Sequence, residues 1–211
     1  MLLASTQGLG FARSVTPGLV ERYAARFGPD SRTRISAWQQ FVGSIAPERQ
    51  QTSNGELGFL GPVNVFFNRL PYADDLVHWG VKDYWATPAE MIASDGGDCE
   101  DYSIAKYFAL KEMGVPIERL RMTYVKAVRL NQAHMVLAYY ARPDAEPLIL
   151  DNFEDQVEPA SKRIDLIPVF SFNDEDLLLA RQRQSSVRAG STLQIRLWRE
   201  LVGRLEQELR M

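Results

Sequence analysis

Apolar residues in the first half of the chain recur every three to four positions, which is the period of an α-helix. The pattern predicts helices over 17–27, 32–46, 56–70, 88–92 and 99–113. Asp30 or Ser31 would cap the second helix, and Pro47 would close it. Pro62 would kink or break the third helix, and Gly114 would end the fifth.

After residue 120 the helical period gives way to alternation of apolar and polar residues, which indicates β-strands. Strands are predicted over 121–129, 134–141 and 147–151, with shorter extended pieces over 155–172. The turns between the first three strands are short, so successive strands should pair antiparallel. A closing helix is predicted over 191–209, and the arginine-rich stretch 181–210 is interpreted as a solvated helix face. The fold class is therefore α+β, with a helical N-terminal part packed on an antiparallel β-sheet and a C-terminal helix.

Length and composition fit one globular domain. The chain has 211 residues, of which 45% are hydrophobic and 24% charged, and domains of about 100 to 200 residues are typical. We predict a single domain over 13–211. An uncharged stretch over 1–12 is interpreted as a flexible leader remnant, the trimmed end of a secretion signal. No uncharged apolar run approaches the roughly 20 residues that cross a bilayer, and a net charge of −3 argues against nucleic-acid binding.

Cys99 is the only cysteine of the chain, and it lies in the stretch SDGGDCEDYSIAKYFAL at the predicted start of a helix. The free N–H groups and partial positive charge of a helix N-terminus lower the pKa of a thiol there. Lone cysteines are more often inert, but those lie among apolar neighbours, whereas this one has acidic neighbours. The position favours a catalytic nucleophile. Its backbone N–H would donate to an oxyanion, and Trp79 or Trp85 could supply the second donor.

A nucleophilic cysteine needs a base, and the chain has two histidines, His78 and His134. His134 opens an apolar strand that could deliver it to the thiol, whereas His78 lies in an irregular segment. Asp151 ends the next strand, and adjacent antiparallel strands can place it beside His134, where it would fix one tautomer of the imidazole. Asn152 and Asp155 could take this orienting role instead.

The stretch GGDCEDYSIAKYFAL, followed by a histidine that opens a strand and an aspartate that ends the next, resembles the transglutaminase-like cysteine peptidases. Within that group the chain is most similar to the bacterial periplasmic proteinases of the LapG type, over roughly residues 30–180. The resemblance implies a papain-like, transglutaminase-like fold and a periplasmic location. It also implies that Cys99 is the nucleophile, that His134 is the general base and acid, and that Asp151 orients His134.

Three carboxylates, those of Asp98, Glu100 and Asp101, flank the cysteine in sequence. Like charges disfavour a thiolate, so these acids should raise the pKa of Cys99 unless a cation compensates them. The resemblance assigns the three acids to a Ca²⁺ site. Ca²⁺ takes about six to eight oxygen ligands, so carbonyls or waters, for example from 79–85, would have to complete the shell. A helix N-cap with two acids in the first turn would explain the same residues without a metal.

The resemblance further implies a calcium-dependent endopeptidase that cleaves a large surface adhesin near its N-terminus at a pair of alanines, which releases the adhesin and disperses the biofilm. An inhibitory partner is implied as well, an inner-membrane cyclic di-GMP receptor of the LapD type that docks on a hydrophobic surface near the active site. Two other functions fit the same residues. A transglutaminase or amidase would use the same triad with an amine in place of water. In a non-catalytic calcium-dependent binding module, Cys99 would be structural.

Overall fold

The computed structural model describes residues 15–49, 55–182, 185–190 and 195–210. Its α-helices within these ranges are α1 (Pro17–Phe27), α2 (Asp30–Arg49), α3 (Leu57–Asn68), α4 (Asp75–His78), α5 (Pro88–Ser94), α6 (Cys99–Glu112) and α7 (Arg196–Glu208). None of these helices is both long and apolar enough to span a membrane. The leader remnant predicted over 1–12 lies outside the described residues, so the division of the chain there stays a prediction.

The described strands are β1 (Leu120–Ala127), β2 (Gln132–Tyr139), β3 (Leu148–Asp151), β4 (Glu154–Pro159), β5 (Leu166–Phe172), β6 (Leu177–Gln182) and β7 (Ser185–Gly190). They form one antiparallel sheet in the order β4-β3-β2-β1-β5-β6-β7. β1 and β2 pair along their whole length, whereas β2 pairs with β3 only over 137–139. The first part of β2, which includes His134, therefore extends beyond the paired part of β3.

A large hydrophobic core joins the helices to one face of the sheet, and its β2 members are Met135, Leu137 and Tyr139. A smaller apolar cluster lies on the other face and takes Val136 and Ala138 from the same strand. This alternation is the period-two pattern of a strand with apolar contacts on both faces. The predicted α+β class, with helices first, then an antiparallel sheet and a closing helix, is confirmed.

The prediction is wrong at both ends of α2, in the possible break at Pro62 and over part of 181–210. α2 begins at Asp30, so neither Asp30 nor Ser31 precedes the helix as a cap. α2 continues past Pro47 to Arg49, and α3 runs through Pro62 without a break, so that only the kink at Pro62 stays a prediction. The stretch 181–210 is also not a helix face throughout. Its first part belongs to the β6–β7 hairpin, and α7 begins only at Arg196. Pairing of β6 with β5 decides the structure there, since strand formation depends on neighbours more than on local propensity.

The last residue of α7, Glu208, forms hydrogen bonds to residues of the N-terminal half of the chain. Trp198 and Leu201 are buried in the large core. Glu208 is 3% exposed, and its carboxylate accepts hydrogen bonds from the hydroxyls of Tyr23 and Thr87. Burial raises the pKa of Glu208 to about 7. Because Thr87 is the N-cap of α5, this contact joins the C-terminal helix to the element that leads into the cysteine segment.

The connection from β4 to β5 crosses the sheet on the face of the smaller cluster. β4 is an edge strand and β5 lies beyond β1, so residues 160–165 pass over the strands between them. Ala160 packs against the smaller cluster, and Leu166 belongs to it. Arg163 lies on this crossing segment with only 13% of its side chain exposed.

Lys106, on α6, is a fully buried lysine. Its Nζ donates to Asn68 Oδ1 at 2.7 Å and lies 5.6 Å from the centre of the Tyr102 ring. Burial lowers the pKa of Lys106 to about 7, although the charges of Asp151 and Asp155 act in the opposite direction. An unfolded lysine keeps its proton up to a pKa of about 10.4. Between the two values the unfolded chain binds more protons than the folded one, so the free energy of unfolding rises with pH.

We expect the Lys106→Met variant to lose this pH dependence. Relative to the variant, the free energy of unfolding of the wild type should increase by roughly 2 kcal/mol between about pH 7 and about pH 9. Urea denaturation at both pH values measures the difference. Lys111→Met, on the same helix but at a lysine that is one third exposed, controls for the general loss of a lysine. A difference between wild type and Lys106→Met that stays constant with pH would contradict the prediction.

Candidate active site

Cys99 is the first residue of α6, and Asp98 is the N-cap of that helix. Asp98 Oδ1 accepts a hydrogen bond from the N–H of Glu100 at 3.3 Å, and Asp101 Oδ2 accepts one from the N–H of Asp98 at 3.4 Å. These two bonds satisfy N–H groups that the first turn of a helix leaves without helical partners. The prediction of a helix that begins at Cys99 is confirmed, and the capping role of the acids is real.

Two glycines allow the chain before the cysteine to lie against the segment 71–73. Gly96 has a φ of 147°, and a Cβ at this position would lie 2.5 Å from the carbonyl oxygen of Pro71. A Cβ at Gly97 would lie 2.3 Å from Asp101 Oδ2. The N–H of Ala73 donates to the Gly97 carbonyl at 2.9 Å. A side chain at Gly97 would therefore displace Asp101, and one at Gly96 would push the Pro71 backbone away from the cysteine segment.

The sulfur of Cys99 lies between Glu100 and the start of β2. It donates to Glu100 Oε2 at 2.7 Å, and Glu100 Oε1 accepts from the Tyr124 hydroxyl at 2.5 Å. The backbone N–H of Met135, the residue after His134, is directed at the sulfur. Burial, followed by the charge and the hydrogen bond of Glu100, raises the pKa of the thiol, whereas the Met135 N–H lowers it. Burial and the charge of Glu100 thus both favour a neutral thiol.

His134 and Asp151 form a buried pair, with side chains that are each 1% exposed, and His134 Nε2 lies 2.8 Å from Asp151 Oδ1. Burial acts to raise the pKa of Asp151, but hydrogen bonds from His134 and Arg163 outweigh it and hold the pKa at about 2. An ionised carboxylate can only accept hydrogen bonds, so Nε2 carries the hydrogen. Nδ1 of a neutral ring is then free to take a proton. Phe153 stacks on the imidazole with ring centres 4.9 Å apart.

The other candidates for the base and the orienting residue make different contacts. His78 Nε2 lies 2.8 Å from the Ser94 hydroxyl. Asp155 Oδ1 accepts from Asn68 Nδ2 at 2.9 Å, and the Asn152 side-chain oxygen is buried without a partner among the described residues. Of the candidates weighed from the sequence, the structure brings together His134 and Asp151.

The two tryptophans considered as oxyanion donors both pack against aromatic rings. Trp85 is 3% exposed and stacks on Phe172 with ring centres 5.6 Å apart. Trp79 packs against Tyr84 at 4.7 Å. Both indole nitrogens are buried, and neither has a hydrogen-bond partner within the described part of the chain. The second oxyanion donor stays a prediction.

A cluster of acids lies beside the cysteine, where carboxylate oxygens of Asp75, Asp98 and Asp101 are within 4.8 Å of one another. Burial raises the pKa of Asp75 to about 6 and that of Asp98 to about 10, and the charge of Glu100 adds to both. Asp75 Oδ1 is buried and has no hydrogen-bond partner among the described residues. Buried carboxylates that repel one another and include an unsatisfied oxygen fit a hard divalent cation with oxygen ligands, such as Ca²⁺.

The three predicted metal residues fall into two groups of neighbouring side chains in the structure. Asp98 and Asp101 lie together with Asp75, whereas Glu100 belongs to a second group with Asp98 and Cys99. Asp75 was missed because it lies on a different element, α4, and no sequence spacing connects it to α6. Tyr124 and Arg163 were missed for the same reason, since only the sheet and the crossing segment bring them to the site.

A sequence profile of the family described as bacterial transglutaminase-like cysteine proteinase, BTLCP, matches residues 42–164. Among solved structures, the chain is similar to EGTA-treated LapG of Legionella pneumophila, with 40% identity over 88% of this chain and 97% of that one, and a TM-score of 0.72. Calcium-bound LapG of the same organism matches with 41% identity, the same coverage and a TM-score of 0.71. Among curated proteins, none matches significantly. The profile covers more than half of the chain, and the resemblance found from the sequence is confirmed: the chain belongs to the bacterial transglutaminase-like cysteine proteinases and has their fold.

Proposed function

We propose that this protein is a calcium-dependent periplasmic cysteine endopeptidase. Its substrate would be a large surface adhesin, cut near its N-terminus at a pair of alanines, so that cleavage releases the adhesin and disperses the biofilm. The observation that carries the proposal is the buried His134–Asp151 pair at the start of β2, beside the residue whose N–H is directed at the Cys99 sulfur. Nucleophile, base and orienting carboxylate are the three parts that acyl transfer by a cysteine enzyme requires.

Each residue of the triad has a defined part in the reaction. His134 Nδ1 takes the thiol proton as the sulfur of Cys99 attacks the carbonyl carbon of the scissile peptide bond. The C–N bond breaks, the leaving amine takes the proton from Nδ1, and an acyl thioester remains on the sulfur. Water then attacks the thioester, Nδ1 removes its proton, and that proton returns to the sulfur as the acid product leaves. Asp151 keeps the ring in the tautomer with hydrogen on Nε2 throughout.

The acid cluster explains why a cation would matter to this chemistry. Glu100 accepts the thiol hydrogen and raises the pKa of Cys99, which opposes formation of the thiolate. Asp75, Asp98 and Asp101 would hold the ion, and its positive charge would offset the field of the acids at the sulfur. Support for calcium comes from these oxygen ligands and from the calcium-bound form of LapG from Legionella pneumophila.

A docking surface for the proposed inhibitory partner, an inner-membrane receptor of the LapD type that senses cyclic di-GMP, would lie next to this cluster. Leu76 and Val77 follow Asp75 on α4 and are 64% and 83% exposed. Tyr72 and Phe153, both about half exposed, have ring centres 5.9 Å apart beside His134. Exposed apolar side chains next to the acid cluster and to His134 support a surface that binds another protein.

The test is cleavage of N-terminal adhesin fragments that contain a di-alanine sequence. Wild type with Ca²⁺ should give two products, because the acyl-enzyme is hydrolysed by water, and replacement of both alanines by bulky residues should prevent cleavage. A labelled amine is included in parallel reactions. If the fragment becomes conjugated to the amine while no free cleavage product with a new carboxylate appears, the protein is an acyl transferase rather than a protease.

A further inference from the structure

Every side-chain oxygen of Asp151 has a hydrogen-bond donor. Oδ1 accepts from His134 Nε2 at 2.8 Å and from the N–H of Phe153 at 3.1 Å. Oδ2 accepts from Arg163 Nη2 at 2.7 Å. The carboxyl torsion of an aspartate has a broad minimum, so contacts to one oxygen leave the plane of the group poorly fixed. The bond from Arg163 to the second oxygen fixes that plane.

Arg163 is itself held in place by a second carboxylate. Its Nε donates to Asp165 Oδ1 at 3.1 Å, and Nη2 donates to Asp165 Oδ2 at 3.0 Å. A two-point contact of this kind orients the planar guanidinium as well as binding it. The backbone carbonyl of Asp165 accepts from the N–H of Val128 at 2.8 Å, which anchors the crossing segment at the end of β1. The guanidinium therefore joins β3 to a segment that is fixed to β1.

The negative charge of the buried Asp151 carboxylate is a second reason for the Arg163 guanidinium beside it. The Asp151 carboxylate is 1% exposed, and a buried charge that loses its partner destabilises the site strongly. The charge of Lys106 also interacts with that of Asp151, but the Lys106 ammonium is bonded to Asn68. Asn68 Nδ2 donates to the backbone carbonyl of Asp151 at 3.0 Å. The two contacts have different effects, since α3 and α6 hold the backbone of Asp151, whereas Arg163 holds its carboxylate.

We propose that Arg163 is a positioning residue, which fixes the plane of the Asp151 carboxylate and through it the orientation of the His134 ring. Asp165, Arg163, Asp151 and His134 form a continuous hydrogen-bonded series from the crossing segment to the base. Arg163 touches neither substrate nor reacting atoms. The inference rests on the proposed function only in taking His134 as the base.

The first test is kinetic and compares Arg163→Met with Arg119→Met. Both variants remove an arginine that is paired with a carboxylate, but Arg119 pairs with Glu56 away from the site. In Arg163→Met, kcat on the adhesin fragment should fall by about 10- to 100-fold, which is typical of a reacting group misplaced by up to about 1 Å. KM should change less than about threefold, because Arg163 does not contact substrate. Arg119→Met should keep the wild-type kcat.

The second test does not depend on proteolysis. The proton on His134 Nε2 is buried and bonded to Asp151, so it should give a slowly exchanging imidazole signal in ¹H–¹⁵N spectra. The chain has two histidines, and a His78→Gln variant assigns the signal. Arg163→Met should broaden or shift this signal, and Arg119→Met should leave it unchanged. If wild type cleaves no adhesin fragment, the proposed function fails, while the imidazole signal still tests the role of Arg163.

The two readouts decide the proposal together. A wild-type kcat and an unchanged imidazole signal in a folded Arg163→Met variant would overturn it. Arg163→Lys keeps the charge but offers one ammonium to two carboxylates, so it should recover part of the lost kcat and part of the signal. If Arg163→Met does not fold, Arg163→Lys decides the question, and a lysine variant identical to wild type in both measurements would overturn the proposal.

Discussion

Hydrolysis by the Cys99→Ala variant is expected to fall to the background level, a loss of at least about 10⁴-fold in kcat. Cys99 is the only cysteine of the chain, so no neighbouring thiol can replace it. Cleavage of the adhesin fragment, followed by gel electrophoresis and mass spectrometry, measures the loss. Alkylation gives an independent check, because one iodoacetamide adduct per wild-type chain should abolish activity. Equal cleavage by wild type and Cys99→Ala would remove the enzymatic assignment and favour a binding module.

The two histidines provide a matched pair of controls for the same prediction. His134→Gln should lose hydrolysis by about 10³-fold or more, because the site then lacks the base that takes the thiol proton and returns it to the leaving amine. His78→Gln should keep most of the activity, since His78 contacts the Ser94 hydroxyl and has no part in the triad. If His78→Gln were the inactive variant, the assignment of the base would be wrong.

Calcium is expected to stabilise the protein and to be required for hydrolysis. At about 100 times its dissociation constant, a ligand that binds only the folded state adds about 2.7 kcal/mol to the free energy of unfolding. For a chain of this size that corresponds to a rise in Tm of roughly 5 to 10 °C. The physical reason is the buried cluster of Asp75, Asp98 and Asp101, in which burial and mutual repulsion oppose ionisation of the carboxyl groups unless a cation is bound. Thermal unfolding and fragment cleavage, each with Ca²⁺ and with EGTA, measure both effects.

Single amide replacements show which acids hold the ion. Asp75→Asn and Asp101→Asn should each reduce the calcium-dependent rise in Tm. Asp95→Asn, which changes a half-exposed acid at the end of α5, should leave the rise intact. The Asp75 variant is decisive because sequence reasoning did not include that residue. A full rise in Tm in the Asp75 and Asp101 variants would show that the ion, if bound, lies elsewhere.

Much of the fold followed from local patterns. The start of α6 was predicted because glycines and a capping aspartate precede a periodic apolar run. The first three strands followed from their alternation, and their short turns correctly indicated antiparallel pairs. The β6–β7 hairpin was missed, since its place is decided by pairing with β5. A periodic pattern of apolar residues predicts a helix or strand that buries one apolar face. It predicts less well a strand whose formation depends on pairing with a neighbouring strand.

The residues of the candidate site also differ in how well the sequence predicted them. Cys99 begins α6, Asp151 ends β3 and His134 lies near the start of β2, where antiparallel strands and a packed helix can meet. Asp75 lies on the short helix α4 and Arg163 on the crossing segment, and no sequence spacing connects either residue to the groups that it contacts. The resemblance assigns Glu100 to the metal site, and that role stays a prediction; in the structure its carboxylate accepts hydrogen bonds from Cys99 and Tyr124.

The acid cluster draws its members from two segments, α4 and the start of α6, which are also joined by the bridge between Tyr72 and Gly97. An ion shared by Asp75 and Asp98 would act as a reversible cross-link across the chain between them. The bound ion would close this loop of roughly 20 residues in the folded state. The apolar side chains of Leu76 and Val77 stand on that loop. The surface that Leu76 and Val77 form would then be more rigid at high metal concentration than at low. Amide hydrogen exchange in this loop would measure that change for each residue.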